Sequence, residues 1–380
     1  MATGGRGQDR GAAGGAFVLS YQDVARLLAS FPLEDIVTDL GAEIESVYRD
    51  RQLETIQRNG WPRPPDTLEI MGCQAADLTC MKMISSHPSI ANRRLPTVTG
   101  TLVCTEVGND QARLICDTAV LTPLRTAVST GVVMRRVSPL ARSVAIIGAG
   151  LEGTSHALVL ALMLEHVESI VFMDYDEAQA REAKEQMTVL FGRPDLLPSR
   201  HVDVTWVERG NVATAYDCDA IVTATYGAAA VVTRASALRP GTFIAAVGAD
   251  LSGKRELDHR VYDRARFIAD DLEQCLHEGE LQHAGPRLRP GLEARSHRGV
   301  LLDGRITSVA DLLEDASDFM QRSESVMIYD STGFSGQDLA VARVVLRLLD
   351  EHGWAPTEWN PAAAVSLTGL LSGPAPDGSK

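Results

Sequence analysis

A hydrophobic strand that runs directly into three spaced glycines and then a helix leaves a chain few folds to choose from. Residues Val144-Ala145-Ile146-Ile147-Gly148-Ala149-Gly150-Leu151-Glu152-Gly153 form such a stretch. Each glycine has its own reason. Gly148 makes the tight turn, Gly150 lets a backbone approach a pyrophosphate, and Gly153 lets the helix pack closely on the sheet. Amide groups opening the helix then face the phosphates, aided by the helix dipole. A second apolar run, Ile170-Val171-Phe172-Met173, ends in Asp174, 21 positions after Gly153. An acid there bonds a ribose 2′-hydroxyl and repels a 2′-phosphate, so the pattern predicts NAD rather than NADP.

The surrounding chain agrees. From Ser143 the pattern alternates strands (143–147, 169–173, 202–207, 220–224, 242–247) with helices (154–164, 177–190), which predicts a parallel sheet covered on both faces. Ahead of it the texture differs. Residues 20–50 read as helices, 59–66 with three prolines as a loop, and 67–117 as short strands with a turn at Gly108-Asn109-Asp110. A helix covers about 119–137, and helical pattern returns after about 310. The fold class is α/β: a Rossmann dinucleotide-binding domain at 129–321, plus a discontinuous α+β substrate-binding and dimerisation domain at 17–128 with 322–365. The ends, 1–16 and 366–380, read as loose tails.

The net charge of −14 argues against a nucleic-acid partner, because phosphates would be repelled. The N-terminus lacks a continuous apolar stretch of the secretory kind, and no run approaches the ~18 apolar residues of a membrane span, so the expected location is the cytoplasm. Six cysteines at 73, 80, 104, 116, 218 and 275 show no paired spacing and read as reduced thiols; no metal site is expected.

A second acid comes after a later strand, in Ala246-Val247-Gly248-Ala249-Asp250-Leu251-Ser252-Gly253-Lys254. Ligands gather at the carboxyl ends of such strands, so Asp250 lies where a nicotinamide substrate belongs, although Asp is also a favoured helix cap. With these residues in view the chain resembles the ornithine cyclodeaminase/mu-crystallin family over about residues 20–355. The resemblance rests on Glu69-Ile70-Met71, Lys82, Leu95-Pro96-Thr97-Val98 with Gly100, and Leu121-Thr122-Pro123-Leu124-Arg125-Thr126-Ala127. It continues through the glycine turn, Val247–Asp250, Gly253-Lys254 with Glu256-Leu257, Glu278-Gly279-Glu280, and Asp330-Ser331-Thr332-Gly333-Phe334. Glu69 before Met71 and the Asp330–Phe334 segment look like the cyclising branch.

The resemblance implies a redox-neutral deamination. NAD takes a hydride from Cα of ornithine or lysine, the distal amine closes the ring on the resulting iminium, ammonia leaves, and the hydride returns to give proline or pipecolate. Holding both reacting groups in one bound molecule supplies on the order of 7–11 kcal/mol. Lys82, Arg125 and Arg58, with Arg63 a rival for Arg58, would bind the α-carboxylate, as guanidinium groups do bidentately. Asp250 would act as acid/base, and Glu69 would hold or deprotonate the distal amine, unless Glu69 is only an outward-facing strand residue. Implied cofactor contacts are Thr97, Arg125, Leu151, Glu152, Asp174, Thr225, Val247, Gly248, Lys254 and Ser331, beside the three glycines. A homodimer joined through the β-rich domain is also implied. Gly72 where the family has Pro, and Ser86-His87-Pro88-Ser89-Ile90, depart from the pattern around the expected substrate. Alternatives are an NAD-dependent amino-acid or opine-type dehydrogenase and a non-catalytic nucleotide-dependent binder like mu-crystallin.

Overall fold

The computed structural model describes residues 15–63, 65–88, 97–196, 200–208, 211, 213–288, 305–317 and 325–355. The expected tails lie outside these residues apart from Gly15 and Ala16, as do 356–365. The first sheet holds β1 (Phe17–Leu19), β2 (Glu54–Arg63), β3 (Asp66–Gln74), β4 (Leu78–Ser86), β5 (Val98–Glu106) and β6 (Ala112–Asp117). Its order is β1-β6-β5-β4-β3-β2, antiparallel except for the β1–β6 pair. Helices α1 (Tyr21–Leu28) and α2 (Leu33–Arg49) precede β2, and Ser20 caps α1 by accepting from the Asp23 amide.

The loop expected at 59–66 is a correction. Backbone pairing runs on through Pro62↔Thr67 to Arg63↔Asp66. Proline is tolerated because β2 is an edge strand, where no further neighbour needs its missing amide. The register slips by one residue between Ile56 and Asn59, a bulge. Ile56 stays on the outer face of the sheet while Arg58 is re-aimed inward, since one extra residue reverses the facing of the positions after it.

Helix α3 (Leu121–Val137) leads into the second sheet, where β7 (Ser143–Ile147), α4 (Leu151–Met163), β8 (Ser169–Met173), α5 (Glu177–Phe191), β9 (Asp203–Trp206), α6 (Ala213–Tyr216), β10 (Ala220–Thr223) and β11 (Phe243–Ala246) alternate. Then come α7 (His259–Tyr262), β12 (Ala265–Ala269), α8 (Leu272–Glu278), α9 (Leu281–Leu288), β13 (Ile306–Ser308), α10 (Val309–Glu314), β14 (Val326–Asp330) and α11 (Ser335–His352). The order is β13-β12-β14-β11-β10-β7-β8-β9, every pair parallel. Strands buried on both faces explain the continuous apolar runs Ile-Val-Phe and Phe-Ile-Ala-Ala.

Two domain boundaries need correcting. β14 sits between β11 and β12 in the parallel sheet, so the second crossing falls after Asp330 rather than at 322. The break drawn at 128/129 falls inside α3, which is one helix buried along nearly its whole length. It packs on both α2 and α4, so it belongs to both units. No helix of the described residues is long and apolar enough to cross a membrane.

Candidate active site

The glycine turn is built as its sequence demands. Gly148 takes φ +105°, and a Cβ there would lie 2.3 Å from the Ala224 carbonyl oxygen. At Gly153 a Cβ would meet the Gly148 carbonyl oxygen at 1.9 Å. At Gly150 it would find only the Gln179 side chain, at 3.4 Å, so this backbone is open to a ligand. Gly150 opens α4 with no side-chain cap, which leaves the first amides of the helix for an anion. Asp174 closes the turn: its Oδ2 accepts the Ala149 amide at 2.7 Å and its Oδ1 the Asp176 amide at 2.9 Å. Leu151 is exposed beside the turn.

A cleft between the two sheets gathers most of the expected substrate residues. Glu69, Arg58 and Val98 reach it from the first sheet, and Arg125 from α3. Glu152 comes from the first turn of α4, while Val247 with Asp250 comes after β11 and Ser331 after β14. Glu69 is thus turned into the cleft rather than outward, as is Thr67 two positions before it. Asp250 caps no helix; the next one, α7, is capped by Asp258.

Arg58 is tied down through both of its terminal nitrogens. Its guanidinium donates to the carbonyls of Asp250 (3.1 Å), Thr332 (2.6 Å) and Gly333 (3.1 Å). Glu69 lies 3.7 Å away and Glu278 3.5 Å. Burial raises the Glu69 carboxyl above its usual range, with Arg58 opposing, and lifts Glu278 to about 7. The rival Arg63 has its side chain outside the described residues. Asp250 Oδ1 accepts from Lys254 Nζ at 2.6 Å, and that ammonium lies 4.2 Å from the Tyr226 ring centroid.

Lys82 and Arg125 meet a partner that sequence reasoning missed. Asp338, in the first turn of α11, accepts from Lys82 Nζ at 2.9 Å and lies 3.5 Å from Arg125 Nε. Arg125 also donates to the Gln337 side-chain oxygen. An Asp at the start of an apolar helix reads from sequence as a favourable dipole residue, and nothing local joins it to Lys82, 256 positions away.

Glu256, three positions after Gly253, is a second residue whose part does not show in the sequence. It is fully buried and takes Thr223 Oγ1, the Thr225 amide and hydroxyl, and the Gly248 amide, all within 2.7–2.8 Å. It thereby ties together the ends of β10 and β11, and Thr225 spends its side chain on this bond. Asp270 does the same for residues 331–333, accepting Ser331 Oγ at 3.2 Å, Thr332 Oγ1 at 3.1 Å and the Gly333 amide at 2.8 Å.

Other expected residues lie apart. Thr97 is exposed, its carbonyl accepting the His87 amide, beside Val98 which does line the cleft. Of the departures from the family pattern, Ser86 borders the cleft and residues 89–90 lie outside those described. Gly72 does not surround the substrate: it pairs with Met81 and Ile56 on the outer face, and a Cβ there would lie 3.3 Å from the Ile56 side chain. That is a correction, caused by strand alternation, which sends Met71 inward and Gly72 outward.

The comparisons with known proteins fit this geometry. The chain is 29% identical to an alanine dehydrogenase of Archaeoglobus fulgidus over 266 residues, covering 70% of this chain and 75% of that protein. It is 26% identical to an ornithine cyclodeaminase of Agrobacterium tumefaciens over 331 residues, 86% of this chain and 85% of that one. An archaeal alanine dehydrogenase dimer solved with NAD bound superposes with a TM-score of 0.75 at 22% identity, covering 90% of this chain and 98% of its own. A family profile matches residues 33–352, and the chain belongs to the ornithine cyclodeaminase/mu-crystallin family.

Proposed function

We propose that the protein is an NAD-dependent cyclodeaminase that converts ornithine or lysine to proline or pipecolate with release of ammonia. The observation that carries this reading is Glu69, whose carboxylate lines the same cleft as Arg125 and Asp250. A basic amino acid has an anionic and a cationic end, and the cleft offers a partner for each. NAD fits the glycine turn, whose Gly150 backbone is open and whose helix amides are uncapped. When bound, NAD supplies a hydride acceptor that later becomes a hydride donor. The protein's part is to hold and to move protons. Lys82 and Arg125 anchor the α-carboxylate, Asp250 exchanges protons with the amine and imine nitrogen, and Glu69 receives the distal ammonium and frees it to attack.

Likeness to the A. fulgidus alanine dehydrogenase favours a second reading, a net dehydrogenase. A non-catalytic binder is disfavoured because the chain keeps Lys82, Arg125 and Asp250. Incubation with catalytic NAD+ and a panel of L-amino acids distinguishes the three. Ammonia release without NADH accumulation is the expected result with ornithine or lysine. Stoichiometric NADH would instead establish the dehydrogenase, and nucleotide binding with neither product the binder.

The same reading includes a homodimer. Across the first sheet runs one register row, Val18↔Ile115↔Val103↔Met81↔Gly72↔Ile56, on the face away from the core. Val18, Val103, Met81 and Ile56 are between 37% and 52% exposed. An apolar band spanning six strands is more than isolated surface residues, and it suits a second copy of itself. The double substitution Met81→Glu with Val103→Glu is expected to give a monomer by light scattering where the parent is a dimer. An unchanged mass would move the interface elsewhere.

A further inference from the structure

The Lys82–Asp338–Arg125 cluster uses groups from β4, α11 and α3, three elements of distant sequence. All three side chains are at most 5% exposed. One carboxylate oxygen serves both cations, and the other, Oδ2, has no hydrogen-bond partner. A buried carboxylate left half-satisfied is costly, so a purely structural ion pair is a poor account of this arrangement. We propose that Asp338 is the positioning residue of the substrate-carboxylate site: it holds Lys82 charged and aligned with Arg125 so that both can receive the α-carboxylate of an amino acid. This rests on the proposed function, in which Lys82 and Arg125 bind that carboxylate.

The electrostatics give the proposal a signature. Lys82 faces Asp338 from α11, Arg125 from α3, Arg58 from β2 and Glu152 from α4. Burial depresses the Lys82 ammonium to about 8, and Asp338 is the main opposing influence. Two guanidinium groups nearby push it further down. A lysine that binds a carboxylate must be protonated, so kcat/KM falls as pH rises through its folded pKa. Without the Asp338 charge that pKa drops, and the loss begins at lower pH.

The test is kcat/KM for the amino acid between pH 6 and 9 in the parent, Asp338→Asn, Asp338→Glu and Lys82→Met, each checked for folding by thermal melt and NAD+ affinity. Taking the ratio of variant to parent cancels the titration of the substrate itself. For Asp338→Asn we expect a ratio near one at pH 6 that falls about eight-fold by pH 8.5 and approaches ten-fold at pH 9, carried by KM with kcat little changed, as a shift of about one pKa unit below a parental value of about 8 requires. Asp338→Glu keeps the charge and moves it by one methylene, so its KM should rise several-fold with no shift of the alkaline limb. A loss equal at all pH values, or none, in Asp338→Asn would overturn the proposal. Should that variant not fold, an unmoved KM in Asp338→Glu overturns it instead. If Lys82→Met leaves KM unchanged, the placement of the carboxylate site fails, whatever Asp338 does.

Discussion

Asp250→Asn is expected to lower turnover by about 10²- to 10⁴-fold, the usual worth of a positioned acid/base, while NAD+ affinity by calorimetry stays within about two-fold. The substitution is nearly isosteric. It keeps the backbone carbonyl that Arg58 uses at 3.1 Å, so the arginine should not move. What it removes is a carboxylate that can take a proton from the substrate amine and return it. It also removes the anion bonded to Lys254 at 2.6 Å, and the freed ammonium still has the Tyr226 ring. Turnover near the parental value would take Asp250 out of the chemistry and leave Glu69 as the proton acceptor to test.

The second large effect separates two glycines that a sequence motif treats alike. Gly153→Ala would drive a methyl group to 1.9 Å from the Gly148 carbonyl oxygen and 2.9 Å from Ile146 Cγ2. Backbone cannot yield there without parting α4 from the sheet, so a fall in Tm and loss of saturable NAD+ binding are expected together. Gly150→Ala meets only a flexible glutamine end at 3.4 Å. Its Tm should therefore match the parent, while its NAD+ dissociation constant rises at least about ten-fold, roughly 1.4 kcal/mol, because the methyl stands where the pyrophosphate must approach. Parental affinity in Gly150→Ala would move the dinucleotide off this turn.

Local chemistry made much of this legible in the sequence. Gly153, the positive φ of Gly148 and the apolar strand before them carry their reasons within ten residues, and alternation with helices marks out the parallel sheet. Strand alternation also explains why Glu69 and Thr67 face inward together. The parts that were not legible depend on distant neighbours. Pro62 looked like a loop residue because nothing in its own segment says that β2 is an edge strand. β14 was assigned to the wrong unit because an apolar pentapeptide after a helix carries no mark of the sheet it joins. Asp338, Glu256 and Asp270 each act on residues brought near only by the fold, and an acid in a helix turn or loop looks like a solvated one until its partners are known.

The path of the chain between the two sheets constrains how the enzyme can breathe. It crosses once through α3, which carries Arg125, and returns at the junction of β14 and α11, which presents Ser331 on one side and Asp338 on the other. Hinged enzymes pivot on slender linkers, whereas here one pivot would be a helix sheathed in apolar contacts, so parting the halves means dragging Arg125, a proposed anion anchor, along. Entry of the proposed amino acid is then expected through sliding or local loop movement at the rim. A circular permutant severed at either crossing should lose its grip on the α-carboxylate before it loses its nucleotide.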